Sequence, residues 1–313
     1  MKAIRIHAYG GPEQMQFEDA PVPECRAGDV LVRVVAASIN PIDWKLRSGA
    51  MAKGIPKSFP FVLGQDGAGV VEAVGSDVQG FAIGDEVFFY AEFARGGSYA
   101  QFVAVDAAQV AKKPRTVTFA TAAALPTPGQ AAWTALIETA RLERGMRVLI
   151  HGAAGALGTI AVQLAKQQGA HVVATASGEG MALVASLGAD EVIDYRQQRF
   201  ESVARGLDVV LDTIGGATQE ASWSTLRPGG LLVATAIPPA PDRAAAAGVR
   251  AAFVFTPPRG AVLAQLAERV DRGLRVIVGR EFALSDAAAA HRLGESGRAH
   301  GKMVLHVTAP AAN

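Results

Sequence analysis

The chain reads as an α/β protein, a doubly wound parallel sheet of six strands beside a smaller, mostly β domain. Three observations predict this. The run Val148-Leu149-Ile150-His151 stops at a glycine-rich turn, Gly152-Ala153-Ala154-Gly155-Ala156-Leu157-Gly158, and a helical pattern starts at once. From about Ala120 onward, apolar runs of strand length alternate with helical stretches, as crossover-linked parallel strands require. Before residue 113 the runs are short and separated by turn signals.

Taken in order, Ile4–Ile6, Val30–Val35, Gly69–Val74, Glu86–Tyr90 and Tyr99–Val105 are expected as strands. Gly10-Gly11-Pro12, Gly75-Ser76-Asp77 and Gly96-Gly97-Ser98 are the turns between them. Thr121–Ala140 is alanine-rich and expected to be helical, interrupted by Pro126-Thr127-Pro128-Gly129. Parallel strands are expected at Arg147–His151, His171–Thr175, Glu191–Asp194, Asp208–Asp212, Leu231–Ala234 and Ala252–Phe255. Ile160, Ala161, Leu164 and Ala165 recur at helical spacing, and Gly169 stops that helix. The run Ala244–Ala247 reads as a loop. After Pro257-Pro258 come a helix near Ala261–Arg272, a strand near Arg280–Leu284, a helix near Asp286–Leu293 and the strand Lys302–Val307. These changes of pattern divide the chain at 1–118, 119–257 and 258–313.

The length of 313 residues, 50% of them hydrophobic, suits about two domains with a sizeable core. A formal net charge of +1 gives no electrostatic case for nucleic acid or an anionic membrane as partner. Cys25 is the single cysteine, so neither an internal disulfide nor a cysteine zinc cage can form. No apolar run reaches the roughly 18–20 residues of a membrane helix. Met1-Lys2-Ala3-Ile4-Arg5-Ile6 reads as a strand rather than a signal peptide, so a cytoplasmic protein is expected.

In a strand–turn–helix setting, small residues let the backbone approach a pyrophosphate, and the free N–H groups of the helix bind it. The turn reads Ala153-x-Gly155-x-x-Gly158, with alanine at the first glycine of the dinucleotide fingerprint. Ala153, Gly155, Ala156, Leu157 and Gly158 are expected against a dinucleotide cofactor.

Further stretches carry a family resemblance. They are Ser38-Ile39-Asn40-Pro41-Ile42-Asp43, Leu63-Gly64-Gln65-Asp66-Gly67-Ala68-Gly69, Val74-Gly75-Ser76 and Ile83-Gly84-Asp85-Glu86-Val87. Leu187-Gly188-Ala189-Asp190-Glu191-Val192-Ile193-Asp194-Tyr195 and Gly301-Lys302-Met303-Val304-Leu305 follow. In this order and spacing, and over essentially the whole chain, the sequence resembles the zinc-independent quinone oxidoreductase and enone reductase branch of the medium-chain dehydrogenase/reductase superfamily. The resemblance implies a Rossmann nucleotide-binding domain and a GroES-like N-terminal domain that the C-terminal segment completes. It also implies a cofactor in the cleft between them, and a homodimer formed through the last strand of the nucleotide-binding sheet.

An acidic residue about 20 positions beyond the turn would bond the ribose 2′-hydroxyl of NAD. Thr175-Ala176-Ser177-Gly178 holds none there, although Glu179 follows. By resemblance to the NADPH-linked branch, Ser177, Tyr195 and Arg298 surround a 2′-phosphate. The lysine that the branch often adds after the serine is missing, with Gly180 near its place. NADPH is the expected cofactor. Thr127, Thr213, Ala236 and Ile237 are expected to line it, the last three because they follow strands at the carboxyl edge of the sheet.

The zinc-dependent cousins carry a cysteine at Asn40 and Gly-His-Glu at Gly64-Gln65-Asp66. The six histidines, at 7, 151, 171, 291, 300 and 306, show no metal-ligand spacing, so no metal is expected. Polarising a carbonyl without one falls to hydrogen-bond donors or cations. The candidates are the Asn40 amide, Asp43 three residues on, and Lys45, whose ammonium can stabilise an enolate. The expected reaction is hydride transfer from NADPH to a quinone or an α,β-unsaturated carbonyl. The alternatives are an enoyl-thioester reductase of the same superfamily and a non-catalytic NADPH-binding protein.

Overall fold

Val30, Val32 and Val34 are wholly buried while Leu31, Arg33 and Val35 between them are partly exposed, the alternation of a strand with one face in a core. This computed structural model describes residues 1–297 and 301–308. Its chain opens with β1 (Lys2–Ile6), β2 (Gln16–Asp19) and β3 (Asp29–Ser38), which holds those valines. Then come helix α1 (Pro41–Arg47), β4 (Phe61–Val62), β5 (Asp66–Val74), β6 (Glu86–Tyr90), β7 (Phe102–Asp106) and β8 (Val110–Lys112). β3 pairs antiparallel with β5 and β7, and β5 pairs with β6. β2, β1 and β4 form a small sheet of their own.

Contacts divide the chain into two compact units, Met1–Thr127 with Pro257–Asn313, and Pro128–Thr256. The first unit runs past residue 118 because helix α2 (Phe119–Ala123) packs its buried Ala122 and Ala123 on β3 and β5. Pro126-Thr127-Pro128-Gly129, expected as an interruption, instead opens helix α3 (Pro126–Trp133). Both prolines sit in its first turn, where a missing N–H forfeits no intrahelical bond.

In the second unit β9 (Arg147–Ile150) leads to α4 (Ala156–Gln167), β10 (His171–Ala176), α5 (Glu179–Ser186) and β11 (Glu191–Asp194). Then follow α6 (Phe200–Val203), β12 (Leu207–Asp212), α7 (Gly216–Ser222), β13 (Leu226–Ala234), α8 (Pro241–Ala246) and β14 (Arg250–Phe253). Among the described residues the sheet has six strands in the order β11-β10-β9-β12-β13-β14, all parallel. The order reverses between β9 and β12, so their carboxyl ends frame the crevice where such sheets bind ligands. Val148, Leu149, Ile150, Val210 and Leu211 are buried on both faces, as crossover helices impose. The alanine run expected as a loop lies largely in α8, since alanine is the best helix former and Pro241 starts the first turn.

The chain then returns to the first unit with α9 (Gly260–Asp271), β15 (Val278–Ala283), α10 (Ala287–Glu295) and β16 (Lys302–His306). β16 joins the large sheet antiparallel to β3, with Val304 opposite Ser38 and Leu305 opposite Ala37. One core cluster accordingly mixes Ile4, Ile39, Leu63 and Tyr99 with Leu284, Ala290, Met303 and Leu305.

Candidate active site

Where β3 ends, Asn40 turns the chain into α1. Its backbone is extended, Pro41 takes the first helical position, and the Asp43 carboxylate reaches back to accept the Asn40 N–H at 2.7 Å. The sequence-expected pair Asn40 and Asp43 is thus brought together, both buried. Lys45 is not buried with them. It is exposed on α1, next to a partly buried Trp44 that packs edge-on to His291 with ring centroids 6.2 Å apart.

The Asn40 side chain enters a polar cluster. Its Nδ2 donates to Asp66 Oδ2 at 2.9 Å, and its Oδ1 accepts from Lys302 Nζ. Lys302 Nζ also lies 3.6 Å from Asp66 Oδ2. Thr127 donates to Asp66 twice over, from its N–H at 3.1 Å and from its hydroxyl at 2.6 Å. Ser38 Oγ adds a long contact at 3.4 Å. Asp66, Lys302 and Asn40 are almost entirely buried. Burial pushes the Asp66 carboxyl up, and the Lys302 ammonium, Thr127 and Asn40 pull it back. Burial pushes the Lys302 ammonium down, and Asp66 and Asp43 oppose that. Donors on both oxygens of Asp66 leave it the role of acceptor, which is the ionised form.

From Asp43 a second chain of contacts leads away. Tyr99 Oη donates to Asp43 Oδ2 at 3.0 Å and lies 3.2 Å from His291 Nε2, while His291 Nδ1 is 2.8 Å from Arg47 Nη1. Arg47 Nη2 bonds Glu295 at 2.5 Å. Because arginine only donates, His291 Nδ1 accepts and Nε2 carries the proton, which it gives to Tyr99. Burial, then the Arg47 charge, push the His291 imidazole down to about 3, so it is neutral. Burial pushes Asp43 up to about 7, and its Oδ1 has no hydrogen-bond partner.

This cluster does not suit zinc. Zinc takes thiolate, imidazole or carboxylate ligands. Asn40 and Gln65 offer neutral amides, Asp66 is already saturated with donors, and the Lys302 ammonium stands among them. Among the described residues no group of three or more His, Cys, Asp or Glu could hold a metal.

In the second unit Gly152 takes φ +62°, a left-handed conformation, at the end of β9. A Cβ on Gly158 would lie 2.3 Å from the Gly152 carbonyl oxygen, so only glycine lets α4 pack this close. Gly155 is the N-cap of α4, with Ala156, Leu157 and Gly158 in its first turn. Ala153 is fully buried, which accounts for a small residue there. At the ends of β10 and β11, Ser177 Oγ donates to Tyr195 Oη at 3.0 Å, joining two of the three residues expected around the 2′-phosphate. Arg298 lies outside the described residues. The missing lysine has a steric counterpart, since a Cβ on Gly180 would lie 2.7 Å from the Ala154 Cβ. Thr213 donates to the His151 carbonyl at 2.8 Å, and Asp212 accepts the N–H groups of Ile214 and Gly215 at 2.9 Å. Ala236 is partly exposed beyond β13, and Ile237 beside it is exposed.

A cavity of about 470 Å³ opens beside this edge, lined among others by His151, Thr175, Tyr195, Phe200 and Ile214. His151 is buried between Thr175 Oγ1 and Ser222 Oγ, each at 3.0 Å. Ser222 gives its own proton to Thr218, so it accepts from His151 Nε2. Burial pushes this imidazole down to about 4.

Comparison with known proteins settles the family. A family model described as alcohol dehydrogenase GroES-like domain matches residues 26–115, and one described as zinc-binding dehydrogenase matches 187–305. The chain is 34% identical to the Mus musculus NAD(P)H oxidoreductase RTN4IP1, mitochondrial, over 98% of its length and 89% of that protein's. It is 36% identical to the Arabidopsis thaliana NADPH-dependent alkenal/one oxidoreductase, chloroplastic, over 98% of its length and 79% of that protein's. The solved quinone oxidoreductase from Coxiella burnetii superposes with a TM-score of 0.91 at 36% identity, covering 98% of this chain and 99% of that one. The chain belongs to the medium-chain dehydrogenase/reductase superfamily. Within that superfamily it is an NAD(P)H-dependent oxidoreductase of the quinone and enone reductase type. Its GroES-like part is the first unit and its Rossmann part the second.

Sequence reasoning passed over four residues of this medium-chain dehydrogenase/reductase. Asp66 and Lys302 appeared only inside motifs, and His291 and Arg47 carried no signal at all. Their partners are 26 to 262 residues away in the chain, beyond any local spacing rule.

Proposed function

We propose that this oxidoreductase uses NADPH, without a metal, to reduce quinones or α,β-unsaturated carbonyls. The observation that carries the cofactor choice is the Ser177–Tyr195 hydrogen bond at the ends of β10 and β11. With Ser177 donating, the Tyr195 O–H stays free to donate to a 2′-phosphate, and neither residue brings a negative charge that would repel one. The α4 N-terminus and the close turn at Gly155 and Gly158 suit the pyrophosphate, and Thr213, Ala236 and Ile237 lie along the same sheet edge. Bound NADPH supplies a hydride to an electron-poor carbon.

In the first unit, Asn40 meets the negative charge that then grows on the substrate's carbonyl oxygen. Its amide is fixed at both ends in a buried cluster, the preorganisation such stabilisation requires. Asp43 holds the helix that presents it. In the same reading two copies associate through β14. This edge strand pairs only with β13 among the described residues, and Phe253 and Phe255 beside it are exposed.

NADPH and NADH oxidation against a panel of quinones, alkenals and enoyl thioesters tests the reading. Turnover is expected with quinones or alkenals and with NADPH preferred. Tyr195→Phe should raise KM for NADPH roughly tenfold, the worth of one hydrogen bond to a charged group, and leave NADH nearly unchanged. Tight NADPH binding without turnover of any acceptor would favour a non-catalytic role instead.

A further inference from the structure

An asparagine amide can be turned end for end with little change in shape, so only its partners decide where the N–H groups point. At Asn40 both partners are one-way. Lys302 has donors alone, and it bonds Asn40 Oδ1. Asp66, already taking hydrogen bonds from Thr127, acts as acceptor and takes one from Asn40 Nδ2 at 2.9 Å. The reversed amide would set N–H against ammonium and carbonyl against carboxylate. Among the described residues Nδ2 makes that one hydrogen bond, so its second N–H is unspent.

We propose that Lys302 is a positioning residue for the reduction: with Asp66 it locks the Asn40 amide so that the second N–H stays aimed at the substrate's carbonyl oxygen. This rests on the reading of Asn40 as the donor to that oxygen. As the new C–H bond forms, the π electrons move onto the oxygen, and the locked N–H holds the charge until a proton arrives from solvent. A buried ion pair is a poor source of stability, because desolvation offsets the attraction. Fixing the sense of an amide is a task that charged partners do perform. Only the fold brings them together. Ile39 N–H bonds the Met303 carbonyl at 3.0 Å, which seats β16 against the end of β3 and delivers Lys302 to Asn40.

The test is steady-state kinetics on an acceptor that the wild type reduces, with NADPH affinity followed by fluorescence. Lys302→Met keeps the length and removes the donor. It should lower kcat by roughly tenfold to a hundredfold, somewhat less than outright loss of an oxyanion donor, with NADPH affinity unchanged. Lys302→Arg should recover most of kcat. Asn40→Ala/Lys302→Met should be no slower than Asn40→Ala alone, since the lysine acts through the asparagine. If Lys302→Met fails to fold, Lys302→Met/Asp66→Asn carries the test, because no unpaired charge is left, and it should remain slow. Full kcat in either folded variant, or multiplicative losses in the Asn40 double variant, would overturn the proposal. Absence of turnover in the wild type on every acceptor is a different result. It removes the reductase reading, and this inference with it.

Discussion

Asp43 is a carboxyl with no exposed surface and one unpartnered oxygen, set among polar and charged groups. The Asn40 N–H faces it from just before α1, Asp66 from β5 and Lys302 from β16, and Tyr99 brings His291 and Arg47 behind it. Burial, followed by the Asp66 charge, raises it from 3.8 to about 7, against the pull of the Asn40 N–H, Lys302 and Tyr99. The folded state therefore binds a proton at Asp43 between about pH 4 and 7 that the unfolded chain has released. With the folded value the higher one, this contribution is full at low pH and is lost as pH rises through that window. Asp43→Asn removes the titration. Its stability relative to wild type should rise from pH 4.5 to 7.5, by about 1.4 kcal/mol per pH unit at most. His151 and His291, held neutral by burial, lose stability in the other direction as pH falls, but both proteins contain them and their effect drops out of the difference. Chemical denaturation of the two proteins at several pH values checks this, and a falling difference would refute it. At this scale the closeness of Asn40 and Asp43 was legible, because they lie only three positions apart, while the cap they form was not. Asp66, Arg47, His291 and Lys302 were not, because burial and long-range pairing make their chemistry.

The glycine-rich turn was the most legible element, since one local constraint, close approach of strand and helix, dictates its residues. The structure separates its glycines. A Cβ at Gly155 would meet the Gly152 carbonyl oxygen at 3.2 Å, a tight contact that small shifts relieve. A Cβ at Gly158 would meet the same oxygen at 2.3 Å and the Ala153 Cα at 2.6 Å, both backbone atoms that cannot move aside cheaply. Gly158→Ala should cost about 1–3 kcal/mol, the range for overpacking, and lower Tm by several degrees, while Gly155→Ala costs clearly less. Calorimetry of the two variants decides it, and equal losses would show that α4 can slide outward. Elements set by weak local signals were harder to read. α3 and α8 were misjudged because proline and alanine runs look like loops until their place in a first turn is known. α1 was hidden behind Asn40-Pro41, which signals a turn as readily as a helix start.

For the whole molecule, alternation of strands and helices gave away the parallel sheet, but its edges are set by topology. β11 and β14 are the two edges. An edge strand exposes unpaired N–H and C=O groups that will take another strand unless something blunts them. β14 is short, at four residues, and the aromatic side chains at and just beyond its end stay exposed, Phe253 at 44% and Phe255 at 59%. Beside them an apolar groove of about 400 Å³ is lined by Pro238, Pro239, Pro241, Ala244, Val249 and Phe253. Two copies related by a two-fold axis would set β14 antiparallel to its mate. Each copy's phenylalanines would then cover apolar surface on the other, making one self-complementary interface from one patch. Light scattering coupled to size exclusion should give twice the mass of the chain. Phe253→Asp places a charge at the centre of that patch in each copy and should shift the protein to monomer at micromolar concentration. The second unit's sheet should survive, because Phe253 is not among its buried core residues. A wild-type protein that runs as a monomer at high concentration would refute the pairing through β14, and a dimer indifferent to Phe253→Asp would move the interface elsewhere.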